Sequence, residues 1–353
     1  MKQSQPFIFS QCRNTLGGGI GRSIKKLVHL LTVCAMVCSV ITTPVRAEEN
    51  IVINIAYAGS EDSTYGIFTS LFKKYAEEMV DGITIKPRCC ASLITEDEAF
   101  KALQLGTVDM SIITGNNISP HYPLWDAFVL PYIFYNRDHG YRVLDGSVGT
   151  KFRDKFEKTT NVHILSWGNI VYRDFYNTVR PINSMADMAG IKIRVPKNEV
   201  MIDTFQAFGA SPIPLPWSET PPALQTGTVQ GGDNGTTFIK TMKFYEIAKN
   251  LAILEHFAAF APLFASDRGM KKLSLAQQEG LRQAGRKTDL EYRQVMVKQI
   301  EDVHKFLANE GKMKITYPRR DEFVAASQKL QDEWLASKGP EFRVLVEEIR
   351  GTQ

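Results

Sequence analysis

The 353-residue sequence predicts an α/β protein made of two lobes. Stretches with the apolar period of strands alternate with stretches of helical period, which is typical of sheets covered by helices. About 306 residues remain after a 47-residue leader, enough for two hydrophobic cores. A helical pattern over residues 274–309 predicts a helix of roughly 50 Å at 1.5 Å per residue, so it has to bridge both lobes.

The leader has the features of a cleavable secretory signal peptide. Basic residues precede an apolar run over 27–41 that is too short to anchor the chain in a bilayer. No small residue directly precedes Cys34 or Cys38, which disfavours lipid anchoring. We therefore expect residues 1–47 to be removed after Ala47 and the mature protein to be exported to the periplasm.

Removing the leader changes the charge of the chain. Six of the 42 Lys and Arg residues lie in it, and none of the 38 Asp and Glu residues does. The mature chain therefore has 36 basic against 38 acidic residues, a formal charge of −2 instead of +4. No dense basic run remains, so we expect no nucleic-acid partner.

Only two of the five cysteines, Cys89 and Cys90, lie outside the leader. Adjacent cysteines cannot staple distant segments, and a bond between them would close a small, strained ring. The fold is therefore expected to depend on its hydrophobic cores. Adjacency alone supplies neither a base nor a metal geometry, so we expect no role for this pair in ligand chemistry.

The mature sequence lacks the common motifs of catalysis. It contains no nucleophile elbow, no HExxH zinc motif and no phosphate loop. The five histidines after the leader are scattered without ligand-like spacing, so no metal, no cofactor and no catalytic residue is expected. A secreted enzyme that acts on an acidic small molecule through an unfamiliar site stays open as an alternative.

Strands and helices alternate through the first part of the mature chain. Thr95 and Glu98 have the spacing of a capping box, which predicts a helix from there to Gly106. The other elements predicted here are strands over 51–59, 83–87 and 107–113 and a helix over 67–79.

The second part begins with residues 162–179, which predict one extended run long enough to pass between lobes. Ser218 is expected to cap a short helix, and Ser274 with Gln277 to cap the long one. The remaining predictions are a strand over 191–195, ended by Pro196, and a helix over 198–208.

Arg194 interrupts the apolar positions of the strand over 191–195. The period-two pattern places it opposite the core, beside Lys192, and by itself predicts a surface charge. The alternative is a charge held inside a cleft. Ligands of open α/β sheets bind outside the carboxyl ends of strands, where several polar residues of this chain fall.

Two arginines, amide side chains and an aromatic wall suit a small organic anion. A guanidinium fork matches a carboxylate with two parallel hydrogen bonds, whereas lysine offers a point charge. Each residue also has a purely structural interpretation, as a core aromatic or a turn former. The candidate substrate-binding residues are Asn116, Asn117, Arg173, Arg194, Trp217, Asp233 and Asn234.

Several segments, in the same order along nearly the whole mature chain, resemble the DctP-type periplasmic solute-binding proteins of tripartite ATP-independent periplasmic (TRAP) transporters. The resemblance implies that Arg194 makes the main two-pronged contact with a substrate carboxylate, aided by Arg173, Asn234 and Trp217. The segments are "KALQLGTVDMSI", "LPYIFYNRDHGYRVLDGSVG", "VYRDFYNTVRPINSMADMAGIKIRVPKN", "FGASPIPLPWSETPPALQTGTVQGGDNG" and "KFYEIAKNLAIL".

The resemblance also implies a two-lobe periplasmic binding protein with a ligand cleft between the lobes and a long helix across both. A monomer that delivers its ligand to membrane permease subunits is expected, with a ligand-presenting partner of a sensor protein as an alternative. The implied lobes are residues 48–169 with 261–298 for lobe I, and 170–260 with 299–353 for lobe II.

The chain departs from the family pattern where ligand identity is decided. Gly235 stands where many members carry proline, Trp217 replaces a common phenylalanine, and "CCASLITEDE" replaces a glycine-containing loop. A sugar acid such as a uronate, a C4-dicarboxylate and a hydroxy or keto acid therefore all stay open.

Overall fold

The computed structural model describes residues 50–353, in which eleven strands form two separate sheets. The signal peptide predicted over 1–47 lies outside these residues. The strands are β1 (Ile51–Ala56), β2 (Ile83–Arg88), β3 (Met110–Ile112), β4 (Val162–Ser166), β5 (Val171–Asn177), β6 (Lys192–Val195), β7 (Ser211–Pro214), β8 (Gly231–Asn234), β9 (Asn250–Ala259), β10 (Leu263–Ser266) and β11 (Lys314–Thr316).

Both sheets are mixed. The first has the order β2-β1-β3-β10-β4, with β1 parallel to β2 and β3, and β10 antiparallel to its neighbours. The second has the order β11-β9-β5-β8-β6-β7, with β6 parallel to β7 and β8, and β5 antiparallel to β8 and β9. Two sheets within one chain confirm the predicted two-lobe α/β class, while the lobe bounds stay a prediction.

Helices cover the sheets and link their strands. The C-terminal helix packs against two helices that follow β3 in the chain, α4 and α6 of the list below. The helices are α1 (Thr64–Met79), α2 (Glu96–Leu105), α3 (Gly115–Ile118), α4 (Asp126–Val129), α5 (Arg137–Asp145), α6 (Ser147–Thr160), α7 (Glu199–Ala207), α8 (Thr220–Gln225), α9 (Thr236–Thr241), α10 (Asp267–Met270), α11 (Leu275–Asn309), α12 (Arg320–Ser337) and α13 (Pro340–Gly351).

The extended run predicted over 162–179 is two strands in different sheets. β4 ends at Ser166 and β5 begins at Val171, and the chain crosses between the sheets in the intervening segment. Gly168 has φ +76° there, a left-handed conformation that glycine adopts without steric cost. The central glycine therefore marks a crossing and not the middle of one strand.

Two of the predicted caps are wrong. Thr95 precedes α2, but its hydroxyl donates to Glu98 Oε2 at 2.7 Å and makes no cap to the backbone. Ser218 lies inside a 3₁₀ turn, and α8 begins two residues later at Thr220 without a side-chain cap. The Thr95 hydroxyl has an alternative partner in the Glu98 side chain, and Ser218 lies outside the N-cap position of α8; sequence spacing reveals neither.

The long helix α11 bridges the molecule as predicted. Ser274 and Gln277 form the expected reciprocal capping box at its start. Leu281 and Met296 pack into the core around the first sheet, whereas Leu307 packs into the core beneath the second. No helix among residues 50–353 combines the length and the apolar character needed to cross a membrane.

Asp289 fastens α11 to the crossing between the sheets. Its carboxylate accepts the Ser166 hydroxyl, the Trp167 N–H at 3.1 Å and the Gly168 N–H at 2.9 Å. Burial raises the pKa of Asp289 to about 7, although these hydrogen bonds and Arg293 oppose the shift. One buried side chain therefore satisfies the donors of a segment that has no sheet partners of its own.

We expect Asp289→Ala to lower the free energy of unfolding by about 2–4 kcal/mol, because the Trp167 N–H and the Ser166 hydroxyl lose their acceptor and the Gly168 N–H keeps only the Ser166 hydroxyl oxygen. Urea unfolding followed by circular dichroism measures the change. Asp302→Ala, which removes an exposed carboxylate from the same helix, is the matched control and should change stability by less than about 0.5 kcal/mol. Equal effects of the two substitutions would contradict the assigned role.

Candidate functional site

A cavity of about 350 Å³ brings together side chains from both sheets. From the first sheet come residues that follow β1, β2 and β3, at the carboxyl ends of these parallel strands. From the second sheet come residues of β5, β6 and β8, Trp217 after β7 and Phe238 of α9, the helix after β8. The cavity is lined by Tyr65, Glu96, Thr114, Asn116, Asn117, Arg173, Arg194, Trp217, Asn234 and Phe238.

Arg194 is a buried cation, with 5% of its surface exposed, while Lys192 on the same strand is exposed. Its Nε donates to the Leu215 carbonyl oxygen at 3.0 Å, and it forms no ion pair with any residue of 50–353. Burial, and then the charge of Arg173, lower the pKa of Arg194 to about 10. Arg194 therefore lies buried in the cavity lining and not at the surface position that the strand pattern alone predicts.

Arg173, from β5, is by contrast fully paired. Its Nε lies 2.5 Å from Asp233 Oδ2, and its Nη2 lies 3.0 Å from Asp233 Oδ1. Burial alone would raise the pKa of Asp233, but Arg173 and His256 outweigh it and hold that pKa well below its usual range. The pair therefore stays ionised and neutralises itself.

His256, on β9, is the third member of this buried group. Its Nε2 lies 3.3 Å from Asp233 Oδ2, although the ring orientation does not complete a hydrogen bond. Burial lowers the pKa of His256, although the nearby Asp233 carboxylate opposes the shift. Asp233 lies behind Arg173 and outside the cavity lining, so it positions the arginine.

Aromatic side chains form one wall of the cavity. The Arg194 guanidinium carbon lies 5.6 Å from the centre of the Trp217 ring, within cation–π range. Phe238 packs edge-on against Trp217 with ring centres 5.9 Å apart. The wall shields one face of the guanidinium from water, which strengthens any charge contact made there.

The amides of the cavity lie on opposite sides. Asn116 is buried, and its Nδ2 donates to Asn117 Oδ1 at 2.9 Å. Asn234 ends β8, and its Oδ1 accepts the Gly235 N–H at 2.8 Å, which leaves the Asn234 amide nitrogen as a donor beside Arg173. Six of the seven candidate residues thus line one cavity.

Three polar lining residues were not predicted. Glu96 accepts the Thr114 backbone N–H at 2.6 Å and the Thr114 hydroxyl, and Tyr65 OH lies 3.3 Å from the same hydroxyl. Burial raises the pKa of Glu96. Thr114 adjoins the predicted amides, and Tyr65 and Glu96 open the helices that follow β1 and β2. The strand-end rule that selected Asn116 would have selected them too.

An adjoining cavity of about 480 Å³ shares Tyr65, Thr114, Arg173, Asn234 and Phe238 with the first. It continues toward Tyr292 of α11 and Asn169 of the crossing. The polar groups therefore lie at one end of a larger, mainly apolar space. Among residues 50–353 no cluster of three or more His, Cys, Asp or Glu residues is placed to hold a metal ion.

Comparison with known proteins identifies the family. The model of the family described as "Bacterial extracellular solute-binding protein, family 7" (DctP) matches residues 55–338, most of the chain. The chain is 32% identical over 265 residues to the sialic acid-binding periplasmic protein SiaP of Vibrio cholerae serotype O1, a match that covers 74% of this chain and 82% of SiaP.

Solved structures agree. A TRAP periplasmic solute-binding protein from Bordetella bronchispeptica, with density interpreted as pantoate, is 28% identical with a TM-score of 0.80 over 86% of this chain and 99% of that one. Another, from Roseobacter denitrificans with bound L-galactonate, is 26% identical with a TM-score of 0.79 over the same shares. These relatives are solute receptors, which overturns the enzyme alternative. The chain belongs to the DctP family and is a TRAP-type periplasmic solute-binding protein.

Proposed function

We propose that the chain is the extracytoplasmic receptor of a TRAP transporter and that it binds a small organic carboxylate in the 350 Å³ cavity. The observation that carries the proposal is Arg194, a buried guanidinium without an acidic partner in the described residues. An unpaired buried charge is costly, and a ligand carboxylate would supply the missing partner. Arg194 would hold it through two parallel hydrogen bonds.

Arg173 has a second, different role in this proposal. Because Asp233 already occupies its Nε and Nη2, only part of its guanidinium is free to face a ligand. It would add one positioned donor, together with the Asn234 amide, without adding net charge. In this proposal Arg194 contributes a net positive charge to the site, whereas Arg173, neutralised by Asp233, contributes only a hydrogen-bond donor.

The ligand class follows from the rest of the lining. The relatives above are named for sialic acid, pantoate and L-galactonate, which are carboxylates that also carry hydroxyl groups. Asn116, Asn117 and Glu96 would meet such hydroxyls across the cavity from Arg194. We therefore infer a hydroxylated acid, in particular a sugar acid.

Transport follows from the same assignment. The mature protein would act as a periplasmic monomer, close its lobes (48–169 with 261–298, and 170–260 with 299–353) around the ligand, and deliver it to TRAP permease subunits in the membrane. Differential affinity of the ligand for the closed form would supply the free energy for closure.

Arg194→Ala should weaken binding by roughly 30- to 1000-fold, or about 2–4 kcal/mol, because a desolvated carboxylate loses its charged partner. A thermal-shift screen of organic acids first identifies a ligand, since binding to the folded state raises Tm. Titration calorimetry then compares wild type, Arg194→Lys and Arg194→Ala, with exposed Arg343→Ala as control. Arg194→Lys should recover only part of the lost affinity. If Arg194→Ala binds the ligand as tightly as wild type, the proposed contact between Arg194 and the carboxylate is refuted.

Arg194 should lower the stability of the protein when no ligand is bound. Replacing an unpaired buried charge by an apolar side chain of similar length removes its desolvation penalty. We expect Arg194→Met to raise the free energy of unfolding of the ligand-free protein by about 1 kcal/mol or more, measured by urea unfolding. A less stable ligand-free variant would show that Arg194 already has a sufficient partner.

For the ion pair between Arg173 and Asp233 we expect the opposite effect, a loss of stability when one partner is replaced. Asp233→Leu leaves Arg173 buried and unpaired and should destabilise the ligand-free protein by about 3–5 kcal/mol. The double variant Arg173→Met/Asp233→Leu should recover most of that loss in unfolding experiments but should bind the ligand more weakly than wild type. A double variant as unstable as the single one would contradict the pairing.

A further inference from the structure

Cys89 and Cys90 lie in the loop between β2 and α2, held by three backbone hydrogen bonds. Cys90 N–H donates to the Gly59 carbonyl at 2.9 Å, Ala91 N–H to Tyr57 at 3.1 Å, and Ser92 N–H to Cys89 at 3.0 Å. Cys90 and Ala91 have φ of +62° and +53°, an uncommon conformation for residues with a Cβ. The loop therefore holds the two cysteines in a defined turn.

The two thiols face each other in this turn. Cys90 Sγ lies 2.8 Å from Cys89 Sγ, to which it donates a hydrogen bond. Cys90 is exposed and Cys89 is partly buried, so a reagent from solvent reaches the pair. The hydrogen bond to Cys89, then burial and the charges of Glu61 and Asp62, raise the pKa of Cys90 to about 11. The two sulfur atoms are therefore close enough to react with each other.

We propose that Cys89 and Cys90 are a site of reversible thiol–disulfide exchange, which closes to a disulfide between neighbours in the sequence. One of the two cysteines, as its thiolate, attacks one sulfur of an oxidant disulfide, whose S–S bond breaks and releases one thiolate. The other cysteine, after losing its proton to solvent, attacks the sulfur of the first and releases the second thiolate. Two cysteine thiols are oxidised, one disulfide is reduced to two thiols, and the two cysteine protons end on those thiols.

Reversibility follows from adjacency. Neighbouring Cα atoms are about 3.8 Å apart, shorter than the roughly 4.4–6.8 Å of a relaxed disulfide, so the closed ring is strained. Strained and exposed disulfides are the ones that exchange most readily. The oxidising compartment to which we assign the mature protein supplies disulfide oxidants. A disulfide between Cys89 and Cys90 would therefore be reduced readily, whereas a relaxed structural disulfide resists reduction.

The test equilibrates the folded protein with mixtures of reduced and oxidised glutathione and then blocks free thiols with N-ethylmaleimide. Mass spectrometry of the tryptic peptide over 89–101 counts the blocked cysteines without interference from the leader. We expect none at high oxidised glutathione, two after dithiothreitol, and a transition within the glutathione buffering range. The Cys89→Ser and Cys90→Ser variants should each keep one cysteine, either as a free thiol or as a mixed disulfide with glutathione. Neither variant should form the disulfide within the turn.

Phenylarsine oxide gives an independent readout, because trivalent arsenic binds two neighbouring thiolates at once. One equivalent should protect both cysteines of the reduced wild type from N-ethylmaleimide, and neither single variant should be protected. Two free thiols at every glutathione ratio, or glutathione adducts without closure, would overturn the proposal. Neither readout uses an organic acid, so failure here is distinct from failure of the proposed receptor function.

Discussion

The cleft depends on an imbalance of charge among three buried side chains. Arg173 and Arg194 face one cavity, but among the described residues only Asp233 forms an ion pair with either of them. Asp233 binds Arg173 through both oxygens, so the positive charge that is left over belongs to Arg194. Because Arg194 is buried, water screens this charge poorly, and the proposed carboxylate ligand would supply the partner that the described residues do not.

The rest of the fold keeps the two arginines from sharing that carboxylate. β8 pairs with both β5 and β6, but the register places Asp233 opposite Phe175, two residues from Arg173 on β5, whereas Arg194 on β6 lies opposite Gly232. Arg194, on β6, is instead held by its Nε to the Leu215 carbonyl and covered by the Trp217 ring. Strand register thus gives the carboxylate to Arg173 and leaves Arg194 without an acidic partner among the described residues.

Sequence reasoning predicted the class of fold, the long helix and the residues of the cleft, because strand period, cap spacing and strand-end position are local signals. It was wrong where the outcome depended on what lies opposite a side chain. The period-two pattern placed Arg194 on the face away from the core, but that face borders a cleft and not bulk water. Asp233 was predicted as a substrate-binding residue of the strand-end segment "GGDNG", and only the paired strands show that it faces Arg173.

The side-chain amide of Asn198 links the cavity to a contact between elements of the two sheets. Asn198 caps α7 in the second sheet's lobe by accepting the Met201 N–H at 3.0 Å. Its Nδ2 donates to the Asn116 carbonyl at 3.3 Å and to Asp126 Oδ1 at 3.2 Å, both in the segment that follows β3 of the first sheet. Because Asn116 also lines the cavity, one residue takes part in both the ligand site and the contact between lobes. A guest that changes the position of Asn116 therefore changes this contact, which is the physical link that coupling between binding and closure requires.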